Sequence, residues 1–223
     1  MRRLAAIDLG TNTVRLLVVE ASGVEWRELH AEQRVTRLGE GQARTGVLQP
    51  AAMRRTAEVV AAFCRRAEGL GAHDVRIVGT SAVREAANSA EFLAQVRSSN
   101  GRQVRVISGE EEARLTCLGV TQGLPDLKGH FLLFDIGGGS TEFVLSRAGG
   151  PPKAVSVKLG VVELAERFMD QGPVDDTRYD AMAALVGARL AAGLTEPILR
   201  HGAPALVGSA GTVTTLAALD LGL

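Results

Sequence analysis

Short apolar runs alternate with glycine-rich polar turns, and their lengths predict an alternating order of strands and helices. Residues 4–7 and 13–19 are apolar runs on either side of Asp8-Leu9-Gly10-Thr11-Asn12, which predicts a β-hairpin. Gly23 punctuates a turn, and residues 24–32 supply a third strand. Pro50 opens a helix over residues 51–70. Within it Val59, Val60, Phe63 and Ala67 recur at helical spacing, and Gly69 and Gly71 mark its end. Residues 75–78 predict a buried strand, 89–96 a helix, 104–107 a strand and 110–120 a helix.

The pattern then repeats. An apolar run at residues 131–134 leads into Asp135-Ile136-Gly137-Gly138-Gly139-Ser140-Thr141-Glu142, and residues 143–145 follow as a strand. A turn is expected at Gly149-Gly150-Pro151-Pro152, a strand over residues 154–157 and a helix over 161–169. Residues 179–199 read as one long Ala-rich helix. Residues 205–207 form a strand that feeds Gly208-Ser209-Ala210-Gly211-Thr212, with a helix over 213–219. The unit of apolar strand, Asp-x-Gly turn and apolar strand thus occurs twice, at Asp8 and at Asp135. Two such hairpins, each with an acid and a glycine turn, suit opposite walls of one cleft. A turn-rich stretch at residues 122–129 sets the expected boundary, giving domains at 1–124 and 125–223. A glycine loop usually leads into a helix that covers it, so the second domain is expected to be incomplete in this chain.

Composition narrows the function. A chain of 223 residues, 46% of them hydrophobic, buries a core large enough for one large or two small domains. Lys plus Arg and Asp plus Glu are 25 each, so no global field draws the chain to nucleic acid or an anionic membrane. Any polyanion must be held by a local site. Cys64 and Cys117 lie far apart in apolar or helical stretches and are expected as buried reduced thiols, not zinc ligands. The first apolar run is short and interrupted by Asp8, and no stretch approaches the roughly 18–20 apolar residues of a membrane span. A soluble cytoplasmic protein is expected.

The two hairpins carry the chemistry. In the first, Gly10 lets a ligand approach the backbone, Thr11, Asn12 and Thr13 add donors, and Arg15 adds a planar fork suited to phosphate. Asp8 repels phosphate unless a cation lies between them, which points to Mg2+. The alternative is a plain turn rich in Asn and Thr. In the second, Gly137, Gly138 and Gly139 together exceed what an ordinary turn needs, and with Ser140 and Thr141 they suit a backbone wrapped round phosphate oxygens. Asp135 and Glu142 bracket that loop and place two carboxylates at one end of the hairpin, a plausible hard-metal site. Three weaker segments follow strands. Ser81 and Arg84 suit phosphate, although Ser89 also reads as a helix cap. The turn containing Gly211 suits an anion or nucleotide. Ser108 with Glu111 fits a capping box, which explains Glu112 less well and leaves it well placed to hold an attacking water.

Together the stretches IDLGTNTVRL, TSAVREAAN, ISGEEEARL, FDIGGGSTEFV and GSAGTV, in this order, resemble the exopolyphosphatase and guanosine pentaphosphate phosphohydrolase family. The resemblance implies an α/β fold of the actin-like ATPase (sugar kinase, Hsp70 and actin) superfamily. It would have two ribonuclease H-like domains with mixed sheets and an active site in the interdomain cleft. It further implies Glu112 as the base for water and Asp135 and Glu142 as the Mg2+ residues, with Asp8 nearby. Residues 10–13, Arg15 and Arg84 would then hold phosphates. Residues 208–212 resemble the stretch that holds adenosine in related kinases. The stretch 157–163 resembles a Leu-Gly-x-Val-Arg pattern but carries Glu163 at the arginine position.

The leading expectation is Mg2+-dependent hydrolysis of the terminal phosphate of inorganic polyphosphate. The alternatives are a guanosine pentaphosphate phosphohydrolase, a guanosine polyphosphate-binding module with weak catalysis, and a kinase of the same superfamily. Neither nucleic acid nor membrane is an expected partner. Apolar helices that complete such folds often dimerise, so a homodimer is the assembly to test.

Overall fold

The structure is a computed structural model, and it describes residues 1–23, 25–147, 150–169, 172–200 and 202–223. Val24 in the expected third strand and Gly149 in the expected turn lie outside the described residues. The chain divides into two compact units, Met1–Ile107 and Ser108–Leu223.

The first unit opens with strands β1 (Arg2–Leu9), β2 (Thr13–Ser22) and β3 (Glu25–Val35). It continues through α1 (Gln42–Thr45), α2 (Pro50–Gly69), β4 (Asp74–Gly79), α3 (Ser81–Glu85), α4 (Ser89–Asn100) and β5 (Val104–Val106). The sheet order is β3-β2-β1-β4-β5, with β1 antiparallel to β2 and parallel to β4. Alternation along the strands decides the faces. Ala5, Ile7 and Leu9 of β1, Val14, Leu16 and Val18 of β2, and Val75 and Ile77 of β4 are buried in one core. That core also holds Met53, Val60 and Phe63 of α2 and Phe92 and Val96 of α4. Each fully buried Phe or Leu contributes about 1.5–3 kcal/mol over its exposed state. The alternate residues of β1, Leu4, Ala6 and Asp8, are on the other face.

The second unit begins with α5 (Gly109–Gly123) and runs through β6 (Phe131–Ile136), β7 (Thr141–Ser146), β8 (Lys153–Val157) and α6 (Val161–Phe168). It then adds α7 (Asp176–Gly193), α8 (Glu196–Leu199), β9 (Leu206–Ser209) and α9 (Ala210–Leu221). Its sheet order, β8-β7-β6-β9, repeats the first four strands of the other unit in both order and direction. Phe131, Leu133 and Val144 on one face pack with Ala113 and Cys117 of α5. Leu132 and Leu145 on the other face pack with Ile198 of α8. Both cysteines are buried and unpaired, and burial pushes both thiols up.

Three local expectations change. The helix expected over residues 179–199 is two helices, broken at Leu194 and Thr195. The second of them starts around Pro197, whose missing N–H is harmless only in a first helical turn. Ser89 is the first residue of α4, not its cap; Asn88 precedes it and grips Leu48, accepting from its N–H at 2.8 Å and donating to its carbonyl at 3.0 Å. The helix α5 packs on the second sheet, whereas the turn signal at residues 122–129 had grouped it with the first domain.

Ala210, at the start of α9, has φ 69°, a left-handed conformation that an L side chain resists. Ala210→Gly is therefore expected to raise stability by roughly 0.5–1 kcal/mol, the strain relieved less the added chain entropy, read as an upward shift of the urea midpoint.

Candidate active site

The two hairpins close in the same way. In the first, the Gly10 N–H donates to the Thr13 carbonyl at 3.1 Å; in the second, Gly137 N–H donates to the Ser140 carbonyl at 3.0 Å. A β-carbon added at Gly10 or at Gly137 would stand 2.9 Å from that same carbonyl oxygen. Both glycines are thus required by close approach within the turn, not by a positive φ.

Register then separates the twins. Asp8 is paired across the strands with Arg15, and Asp135 in the equivalent place with Glu142. The first pair is compensated: Arg15 Nη1 lies 3.8 Å from Asp8 Oδ2. It is half exposed, so the attraction is worth under about 1 kcal/mol and leaves the guanidinium able to take another anion. The second pair sets two carboxylates directly opposite one another, which is repulsive on a sheet. Glu142 is only 4% exposed and accepts a hydrogen bond from Ser156 Oγ at 2.7 Å. Asp135 Oδ2 accepts one from Ser209 Oγ at 2.8 Å.

Both carboxylates lie on the sheet face that carries Leu133 and Val144, and α5 packs on that face. The first turn of α5 holds Glu110, Glu111 and Glu112. Ser108 Oγ accepts the Glu111 N–H at 3.1 Å, and the Ser108 carbonyl accepts the Glu112 N–H at 2.9 Å. The forward half of the expected capping box is thus present, and it uses the backbone of this turn, not the Glu112 side chain. Glu112 itself is half-buried.

Arg84 and Ser81 sit on α3, directly after β4. Arg84 Nη1 donates to the Ile107 carbonyl at 2.9 Å. Ser81 is buried, and its hydroxyl donates to Glu85 at 2.7 Å, so its proton is used within its own helix. Gly211 stands in open space in the first turn of α9.

A feature of both turns escaped the sequence reading. Each is held by a strap that follows the third strand of its unit. In the first unit Thr36 and Arg37 N–H both donate to the Asn12 carbonyl at 2.9 Å, and Gly39 N–H to the Thr11 carbonyl at 2.9 Å. In the second, Val161 N–H donates to Gly137 O at 3.1 Å, Val162 N–H to Gly138 O at 3.0 Å, and Thr141 Oγ1 to the Leu159 carbonyl at 2.6 Å. Each strap carries a buried leucine and then a glycine, Leu38-Gly39 and Leu159-Gly160. A β-carbon on Gly39 would overlap the Thr11 methyl, and one on Gly160 would overlap the backbone of Gly138 and Gly139. The signal was available: a basic residue, Leu and Gly follow the third strand in both halves.

Glu163, the departure from the Leu-Gly-x-Val-Arg pattern, lies just past the second strap and receives two hydrogen bonds from Arg189, at 2.7 and 2.5 Å. The Arg189 guanidinium holds the Glu163 carboxyl below its usual value of 4.5. Because the folded-state value is the lower one, the pair contributes fully at neutral pH and is lost as pH falls below that range.

The duplicated hairpin units, with sheets of matching order and paired glycine turns, place the chain in the actin-like ATPase fold. A family model described as the Ppx/GppA phosphatase family matches residues 17–221, and the chain belongs to that family. It is 36% identical over 235 aligned positions to exopolyphosphatase 2 of Mycobacterium tuberculosis, covering 98% of this chain and 71% of that protein. The crystal structure of an exopolyphosphatase from Cytophaga hutchinsonii superposes with a TM-score of 0.91 at 29% identity, over 99% of this chain and 70% of that one. The Aquifex aeolicus PPX-GPPA enzyme gives 0.78 at 30% identity, over 100% and 72%. No helix among the described residues is long and apolar enough to cross a membrane.

Proposed function

We propose that the protein is an exopolyphosphatase that removes the terminal phosphate of inorganic polyphosphate with Mg2+. The observation that carries this reading is the contrast between the twin turns: Asp8 stands across from a guanidinium, Arg15, in one, whereas Asp135 stands across from a second carboxylate, Glu142, in the other. Two opposed carboxylates, one of them buried, call for a hard cation. Among the described residues no group of three or more His, Cys, Asp or Glu side chains forms a cage. That donor set fits Mg2+, which takes one or two carboxylates and fills its sphere with water and substrate phosphate. When bound there, Mg2+ offsets the charge of the phosphoanhydride oxygens.

The chain's own residues supply the rest. Gly10, Thr11, Asn12 and Thr13, with Arg15 and Arg84, hold phosphate oxygens by backbone N–H groups and guanidinium forks. Gly137, Gly138, Gly139, Ser140 and Thr141 do the same from the second turn, and Ser81 and Gly211 complete the phosphate-binding set. Glu112 takes a proton from water as the water oxygen bonds to the terminal phosphorus. The bond from phosphorus to the bridging oxygen breaks, releasing orthophosphate and a chain shorter by one unit. Asp8 keeps Arg15 oriented and stands as a second-rank metal residue. The two buried unpaired thiols support a reducing, cytoplasmic setting.

The test is orthophosphate release from long-chain polyphosphate without any acceptor. Release is expected with Mg2+ and should stop on chelation. Faster release from guanosine pentaphosphate would reassign the substrate, and tight binding of either anion without release would replace hydrolysis with sensing.

A further inference from the structure

The strap over the triple-glycine turn is itself held from outside. Arg189, on α7, reaches across it: Nη1 donates to the Lys158 carbonyl at 3.0 Å and to Glu163 at 2.7 Å, while Nη2 donates to Glu163 at 2.5 Å. Lys158 precedes Leu159-Gly160 and Glu163 follows it, so one guanidinium spans both ends of the strap. The helix that carries Arg189 is seated tightly there too. A β-carbon on Gly193, one turn further along α7, would stand 2.8 Å from the Val157 side chain.

The first unit repeats the device. Arg55, on α2, donates Nε to the Thr36 carbonyl at 2.7 Å and pairs its Nη2 with Glu40 at 3.3 Å. Thr36 precedes Leu38-Gly39 and Glu40 follows it. Two arginines on two different helices thus make the same pair of contacts: a carbonyl before the Leu-Gly step and a carboxylate after it.

We propose that Arg189 and Arg55 are positioning residues, staples that fix the two straps and through them the spacing of the N–H groups in the glycine turns. That these turns then grip phosphate rests on the function proposed above; the stapling of the backbone does not. Arginine is the residue for this task because its planar fork reaches a carbonyl and a carboxylate together, which a lysine ammonium does not reproduce. The two staples differ in strength. The side chains of Arg189 and Glu163 are 26% and 18% exposed, those of Arg55 and Glu40 42% and 56%. Solvent therefore screens the second pair more, and Arg189 carries the larger effect.

The experiment uses the full chain with Arg189→Lys, Arg55→Lys and the double exchange Glu163→Arg with Arg189→Glu. Amide hydrogen exchange is read at Val161 and Val162, with Leu133 in β6 as the reference for an intact fold. Arg189→Lys is expected to speed exchange at Val161 and Val162 about tenfold and leave Leu133 unchanged, because the opening is local. In the same variant kcat/KM for polyphosphate should fall about ten- to a hundredfold, as misplaced catalytic geometry does, with little change in Tm. Arg55→Lys should do less, and the double exchange should recover part of the loss by restoring an opposite-charge pair. Unchanged exchange at Val161 and Val162 in Arg189→Lys overturns the proposal. So does exchange that rises equally at Leu133, which would make Arg189 a general stabiliser. If the unaltered protein releases no phosphate, the hydrolase reading fails while the exchange result still decides the staple.

Discussion

Glu112→Gln is expected to lower kcat for orthophosphate release by about a thousandfold while leaving substrate affinity nearly unchanged, the loss typical of a removed general base. The amide keeps the size of the side chain but accepts a proton poorly. The helix cap should survive the change. The turn is capped through Ser108 and the backbone N–H groups of Glu111 and Glu112, and the Glu112 side chain has no part in those bonds. Glu110, two residues earlier, is the internal control. It is exposed and stands 3.9 Å from Arg114 in an i,i+4 pair on the helix surface. Glu110→Gln should change kcat less than about twofold, since such a pair is worth only a few tenths of a kcal/mol. Steady-state phosphate release and calorimetric binding of polyphosphate separate the two quantities. A Glu112→Gln enzyme that retains a third of its turnover removes the residue from the role of base.

Gly160→Ala is the second large effect, and it follows from packing alone. Gly160 has φ −130°, an ordinary extended backbone, so conformational freedom is not what requires glycine there. What requires it is the absence of a side chain: the added carbon would overlap backbone atoms of Gly138 and Gly139. Backbone cannot turn aside as a flexible side chain can. The strap or the turn must separate, with the hydrogen bonds from Val161 and Val162 broken or stretched. A loss of about 3 kcal/mol or more in urea unfolding is expected, at the upper end for overpacking, and activity should fall even where the variant is folded. Gly187→Ala gives the opposite sign. Gly187 lies inside α7 with open space around its Cα, so alanine should add roughly 0.5–1 kcal/mol by helix propensity. A Gly160→Ala protein as stable as the original would show that the strap and the turn are not in contact.

The sequence carried the repeat well because the repeat is local. The short apolar runs at residues 4–7 and 131–134 each announce a strand, and an acid two residues before a glycine marks the turn in both halves. The long helix α2 was equally visible, since twenty residues give periodicity room to appear. Four-residue α1 offered none. It is delimited by Gly41 and Gly46, both left-handed with φ 70° and 72°, and glycine alone does not announce a helix. The break at Leu194 and Thr195 was legible in Pro197 and was overridden by the alanine-rich run.

Candidate site residues close to their turns in sequence could be named from the sequence, because the turn and its donors come as one block. The strap and the staples were not, and the reason is distance along the chain. Arg189 acts 26 residues beyond Glu163 and Arg55 15 residues beyond Glu40. An arginine on a helix face looks the same whether it ends in water or on a carbonyl. The same limit applies to α5: Ala113 and Cys117 show an apolar face, but not which of two sheets it covers.

The register of the twin turns has an implication for how such a site arises. At the position across from the aspartate, one copy has Arg15 and the other Glu142. On the proposed function, a single side chain therefore separates a turn suited to an anion from one suited to a cation on otherwise equivalent scaffolds. If that function holds, a gene that doubles one hairpin unit needs only that divergence to supply opposite charge preferences from one scaffold.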